Sequence, residues 1–138
     1  MMLDQMIDDV LAPPPALQKR QRRGRLADLS GRMAEESVTL RYQDQGAVVM
    51  ASRWRGLAGE IDLILREGNC LVFVEVKKST SHAMAAQRLD RRQMDRICLA
   101  ALEYVERHGN GLSEMRFDAA LVDGTGRIDV IANAFGMN

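Results

Sequence analysis

Residues 59–77 read Gly59-Glu60-Ile61-Asp62-Leu63-Ile64-Leu65-Arg66-Glu67-Gly68-Asn69-Cys70-Leu71-Val72-Phe73-Val74-Glu75-Val76-Lys77. Ile61 to Arg66 and Leu71 to Lys77 are dense in Val, Ile and Leu, the composition of strands. Leu71 to Val76 is apolar on both faces, which fits a central strand covered by helices on each side. Gly68-Asn69 between them suits a two-residue hairpin turn with glycine in the first central position. If Glu67 pairs with Cys70, counting outward sets Ile64 opposite Phe73, Asp62 opposite Glu75 and Glu60 opposite Lys77, all on one face. A one-residue slip sends Asp62 and Glu75 to opposite faces, so the turn decides the reading.

In that register two carboxylates stand across from each other at about 4.5–5.5 Å between Cβ atoms. Like charges so close call for a neutralising partner, and hard oxygen donors of this kind suit Mg²⁺ or Mn²⁺. Lys77, two residues beyond Glu75 on the same face, is placed to orient an attacking water or stabilise charge on a phosphate. The competing reading is a strand end projecting into solvent, with Asp62 and Glu60 in ordinary cross-strand ion pairs.

Outward from this core, a helix is expected to start near Ser30 as its cap, bury Ala34, Val38 and Tyr42, and end before Gly46. Ala47 to Ser52 reads as a first strand. Met84 to about Arg107 reads as one long helix with Leu89, Ile97, Ala101, Tyr104 and Val105 inward, ended by Gly109-Asn110-Gly111. Phe117 to Val122 and Ile128 to Ile131 read as two further strands around Asp123-Gly124-Thr125-Gly126. Pro13-Pro14-Pro15 is expected to stop any helix upstream. Residues 1–24 therefore read as a flexible leader whose basic end, Lys19 to Arg25, is a candidate for phosphate contact, and 25–138 as a single domain.

The 138 residues suffice for one domain with a real core. Apolar residues are 46% but aromatics only 4%, so the core must rest on aliphatic side chains. Nineteen basic and nineteen acidic residues balance, so net charge announces no nucleic-acid partner. No apolar run is long enough to cross a bilayer, and the acidic start, Asp4, Asp8 and Asp9, is unlike a secretion signal; a cytoplasmic location is expected. Cys70 and Cys98 are isolated from each other in sequence and read as buried and inert, and His82 and His108 carry no expected chemistry.

Gly59-Glu60-Ile61-Asp62-Leu63-Ile64 followed by Leu71-Val72-Phe73-Val74-Glu75-Val76-Lys77 strongly resembles the YraN-like family (uncharacterised protein family 0102). The resemblance spans about residues 31–135. It takes in Gly31, Ala34 and Glu35, then Gly46 and Trp54-Arg55. Beyond the paired motifs it takes in Arg92-Gln93, Arg96-Ile97, Phe117-Asp118 and Asn133-Ala134-Phe135. It implies an α/β fold with the αβββαβ core of PD-(D/E)xK nucleases and Holliday junction resolvases, a central mixed sheet flanked by helices. Asp62, Glu75 and Lys77 then occupy the nuclease positions, and Glu35 that of an additional acid on the first helix, whose other reading is a solvated glutamate. Two features depart from the resemblance. Ser79 and His82-Ala83-Met84 stand where a basic residue and a Phe-Gly are common, and Gln93 stands where many members have lysine.

The function expected from residues and resemblance together is a Mg²⁺- or Mn²⁺-dependent endonuclease acting on DNA more than RNA, branched or damaged DNA included. Asp62 and Glu75 would be ligands, with Lys77 assisting water. Arg88, Arg91, Arg92 and Arg96, read as successive turns of the long helix, would contact phosphates or else form a solvated face. A homodimer is the arrangement that would place two cuts. The alternative is a nucleic-acid-binding accessory protein with this fold and little turnover.

Overall fold

A computed structural model describes residues 15–109 and 114–136. Its element order is α1 (Pro15–Asp44), β1 (Val48–Arg55), β2 (Glu60–Glu67), β3 (Cys70–Lys78), α2 (His82–Gln87), α3 (Arg91–His108), β4 (Glu114–Val122) and β5 (Ile128–Phe135). The strands form one mixed sheet in the order β1-β2-β3-β4-β5, antiparallel except for the parallel pair β3–β4. Residues 33–138 form one compact unit and 1–32 another.

β3 is the middle strand and is buried on both faces, because its residues alternate between two cores. Val72 and Val74, with Leu63, Leu65, Ala120 and Val122, pack on Ala34, Val38 and Tyr42 of α1. Leu71 and Phe73, with Ile61, Ile64 and Phe117, pack on Ile97, Ala100, Ala101 and Tyr104 of α3. Each such Val, Leu, Ile or Phe side chain, fully withdrawn from water, contributes roughly 1.5–3 kcal/mol before chain entropy is counted. Helices therefore flank both faces of the sheet, and the hydrophobic pattern of β3 is the reason.

The hairpin register is the one the turn requires: Glu67 pairs with Cys70 and Ile64 with Phe73. Gly68 has φ +59° while Asn69 is not among the described non-glycine residues of positive φ, which is the II′ pattern with glycine first.

Three expectations are corrected. α1 reaches back to Pro15 instead of starting at Ser30, and the expected stop of a helix upstream of the prolines lies outside the described residues. Proline is well suited to a first helical position, because its missing N–H would be unpaired there anyway. Residues 15–24 are thus helical, and the rest of the expected leader lies outside the described residues. The long helix is two helices. Arg88 closes α2, and Asp90 turns extended (φ −102°, ψ 134°) and accepts the Arg92 N–H at 2.8 Å as the cap of α3. Finally, β5 runs on to Phe135. Ala132-Asn133-Ala134 has little strand preference by itself, and pairing is carried through by buried Asp118 of β4, which accepts the Asn133 N–H at 2.8 Å.

Candidate active site

β3 leaves the core at its C-terminal end, and there its face toward α3 turns from Leu71 and Phe73 to Glu75 and Lys77. Glu75 is only 4% exposed. A buried carboxylate needs partners, and one oxygen, Oε1, has two: Lys77 Nζ at 2.9 Å and the Gln93 amide nitrogen of α3 at 3.0 Å. The lysine therefore reaches back along its own strand.

Asp62 approaches from β2. The β2–β3 ladder runs to Leu63 opposite Val74. One residue further the Asp62 carboxylate, through Oδ2, accepts the Val76 N–H at 2.8 Å, so the side chain takes up a main-chain donor of β3. The pairing expected opposite Glu75 is thus replaced by an in-plane side-chain bond, and it still brings the two acids together. Burial first, and then the Glu75 carboxylate, push the Asp62 carboxyl up to about 8, with Glu35 adding to the rise and the Val76 N–H opposing it.

Of the other expected residues, Glu35 is engaged by Arg53, at 2.7 Å and 3.4 Å, while remaining near enough to Asp62 to influence it. Glu60 faces Arg55 on β1 and approaches its guanidinium at 3.6 Å, the ion-pair role expected of it as the lesser candidate. The four arginines do not share one helix. Arg88 sits at the end of α2 and donates to the Lys78 carbonyl at 2.8 Å, and Arg91 pairs with Asp95 at 3.3 Å. Arg92 and Arg96 are exposed, one turn apart on α3. Arg96 lines a cavity of about 190 Å³ with Gly59, Glu60 and Gln93, the residue that reaches Glu75. Cys98 is buried but Cys70 only half so, and burial raises both thiols, which keeps them unreactive.

Sequence reasoning did not place Gln93 or Arg53 at the site. Gln93 had left a trace: Leu89, Ile97, Ala101 and Val105 recur every four residues, and Gln93 is the polar member of that series. A polar residue on an inward stripe needs a buried partner, and Glu75 is that partner. Arg53 had no such mark, since its reach to Glu35 comes with a left-handed backbone, φ +49°, inside β1.

Among the described residues no group of three or more His, Cys, Asp or Glu is gathered to hold a metal ion. Two hard carboxylates are nonetheless the donor set Mg²⁺ commonly takes from a protein, the rest being water and substrate oxygen. The Asp62–Glu75 pair fits such a cation, and a divalent charge would offset the repulsion that raises the Asp62 carboxyl.

Fold and site together define a mixed α/β protein with a paired-carboxylate and lysine site at the end of its central strand. A family model described as "Uncharacterised protein family UPF0102" matches residues 34–133. The chain is 56% identical over 113 residues to a UPF0102 protein of Cereibacter sphaeroides, covering 81% of this chain and 97% of that one. It is 50% identical over 115 residues to one of Ruegeria pomeroyi (83% and 94%) and 50% over 121 residues to one of Dinoroseobacter shibae (86% and 90%). The chain belongs to the UPF0102 family. Among the described residues no helix is long and apolar enough to cross a membrane.

Proposed function

We propose that this protein is a Mg²⁺- or Mn²⁺-dependent endonuclease that hydrolyses DNA phosphodiester bonds, on the plan of the PD-(D/E)xK nucleases. The observation that carries the reading is buried Glu75 beside half-buried Asp62, with Lys77 on a Glu75 carboxylate oxygen. Asp62 and Glu75 would hold the cation, which when bound supplies positive charge to the phosphoryl oxygens. Gln93 and Lys77 fix Oε1 of Glu75, so the carboxylate keeps one orientation instead of sampling several. The Lys77 ammonium, 16% exposed, can turn toward substrate, orient a water for attack and offset charge that builds in the transition state. Arg96 beside Gln93, with Arg92 a turn away, supplies phosphate contacts that place a strand without reading its bases.

The reading is tested by incubating the protein with supercoiled, linear, single-stranded and four-way-junction DNA, with and without Mn²⁺. Metal-dependent cleavage of at least one substrate, lost in Asp62→Asn, is expected. A second reading, a nucleic-acid-binding accessory protein with little turnover, draws on Glu35 being held by Arg53 and not turned to the acidic pair. Binding without cleavage of any of the four substrates would favour it.

A further inference from the structure

The first three turns of α1, residues 15–25, expose every side chain. They hold Lys19, Arg20, Arg22, Arg23 and Arg25 and no carboxylate. Among the described residues no ion-pair partner faces any of these five cations. Lys19 and Arg22, Lys19 and Arg23, and Arg22 and Arg25 are like charges three or four positions apart, where they repel and weaken a helix. Gly24 weakens it further. Only Ala16 and Leu17 are apolar side chains other than the leading proline, so no buried face offsets these costs. The segment also lies outside residues 34–133, which carry the family match.

At about 100° per residue the five cations cover roughly 220° of the helix circumference, leaving a neutral stripe of about 140° with Leu17, Gln21 and Gly24. We propose that residues 15–25 are a docking arm for B-form duplex DNA, lying in the major groove with cations toward the phosphates of both walls. Two features of the arm match that partner, and a third argues against a membrane. An α-helix fits the B-form major groove, whereas the A-form major groove is too narrow for it. Cations on both flanks suit a groove with two charged walls, and a polyanion removes the repulsion along the helix. A membrane surface would require an apolar face, which residues 15–25 lack. The arm acts apart from the acidic site and does not depend on that site being catalytic.

The test compares the full chain with a variant in which Lys19, Arg20, Arg22, Arg23 and Arg25 are all Gln, which keeps helix preference. Binding of a fluorescent DNA duplex is followed by anisotropy in EDTA across about 50–200 mM salt. Removing one cation from a phosphate should lower the slope of log affinity against log salt by about 0.9, so a drop of about 2.7–4.5 is expected, with affinity at least about tenfold weaker near 0.1 M. A milder variant, Arg22→Gln with Arg23→Gln, should lower the slope by about 1.8, and it keeps the test valid should the fivefold variant fold poorly. A variant with the four arginines changed to Lys should retain the parent slope. An unchanged slope in both glutamine variants overturns the proposal, as does equal affinity for duplex RNA or preference for phosphatidylserine vesicles. Because the readout is binding without metal, its failure leaves the nuclease reading standing, and loss of cleavage in Asp62→Asn leaves the arm standing.

Discussion

Asp62 is where folding and the proposed chemistry oppose each other. Its folded-state pKa, about 8, lies above its ordinary 3.8, so between these values the folded protein binds a proton that the unfolded chain has released. The stability contributed by that proton is fully present below about pH 4 and lost as pH rises through about 8. Melting in EDTA should therefore decline with pH across this window, and Asp62→Asn, which keeps an acceptor for the Val76 N–H, should show a flatter profile and melt higher at pH 8. Parallel profiles for parent and variant would mean that burial and Glu75 do not raise the Asp62 carboxyl. Lys77→Ala addresses the reaction instead: cleavage should fall by about 10²–10³-fold, the loss typical of removing one transition-state donor, with DNA binding within a few-fold. Equal cleavage by variant and parent would remove Lys77 from the mechanism.

Among the elements, the β2–β3 hairpin carries most of the site, since its turn sets which side chains meet. Gly68→Ala puts a Cβ at φ +59°, and a loss of about 1–2 kcal/mol in urea unfolding is expected. The α2–α3 break has a functional consequence, because it removes Arg88 from the face that Arg92 and Arg96 share. Arg92→Gln with Arg96→Gln should lower the salt slope of DNA binding by up to about 1.8, whereas Arg88→Gln should affect stability through its bond to the Lys78 carbonyl and leave the slope alone. A slope change from Arg88→Gln as large as from the α3 pair would restore the single-face reading.

At the scale of the whole molecule, Asp118 joins elements far apart in sequence. Fully buried on β4, it accepts the Tyr42 hydroxyl of α1 at 2.7 Å, the Arg116 guanidinium at 2.9 Å and 3.0 Å, and the Asn133 N–H of β5. Arg116 also reaches Glu67 at the β2 turn, at 3.1 Å. Burial and the Asp118 carboxylate hold the Tyr42 phenol protonated well beyond the ordinary range, so it remains a donor. Asp118→Ala leaves the Tyr42 phenol and the Asn133 N–H without their acceptor and Arg116 with Glu67 alone, and a loss of about 3 kcal/mol is expected in urea unfolding, without change in the Mn²⁺ response. That response is a further whole-molecule test. A cation that binds only the folded protein raises its melting temperature by mass action, so millimolar Mn²⁺ should stabilise the parent and do far less for Asp62→Asn. The effect should grow from pH 6 to 8 as the Asp62 proton becomes easier to displace. Identical melting of both proteins with and without Mn²⁺ would leave the acids without a cation.

By itself the sequence determined the strands, their hairpin register and the meeting of Asp62, Glu75 and Lys77, because strand alternation and a two-residue glycine turn are local rules with few solutions. It also determined the inward stripe Ala34, Val38 and Tyr42, since a 3.6-residue period survives whatever lies beyond it. Tertiary structure decided the rest. That the helix of Ala34, Val38 and Tyr42 reaches back to Pro15 depends on the whole stretch from Ala16 to Asp44, and the break at Asp90 depends on one backbone turning extended to cap a helix. The in-plane bond from Asp62 to Val76 and the arrival of Gln93 at Glu75 join residues 14 and 18 positions apart. Arg53 meets Glu35 only because β1 carries a left-handed residue, and Asp118 gathers its partners from α1, β4 and β5. Such meetings are chosen by the packing of elements, which fixes distances in space that a linear pattern of apolar and polar residues does not encode.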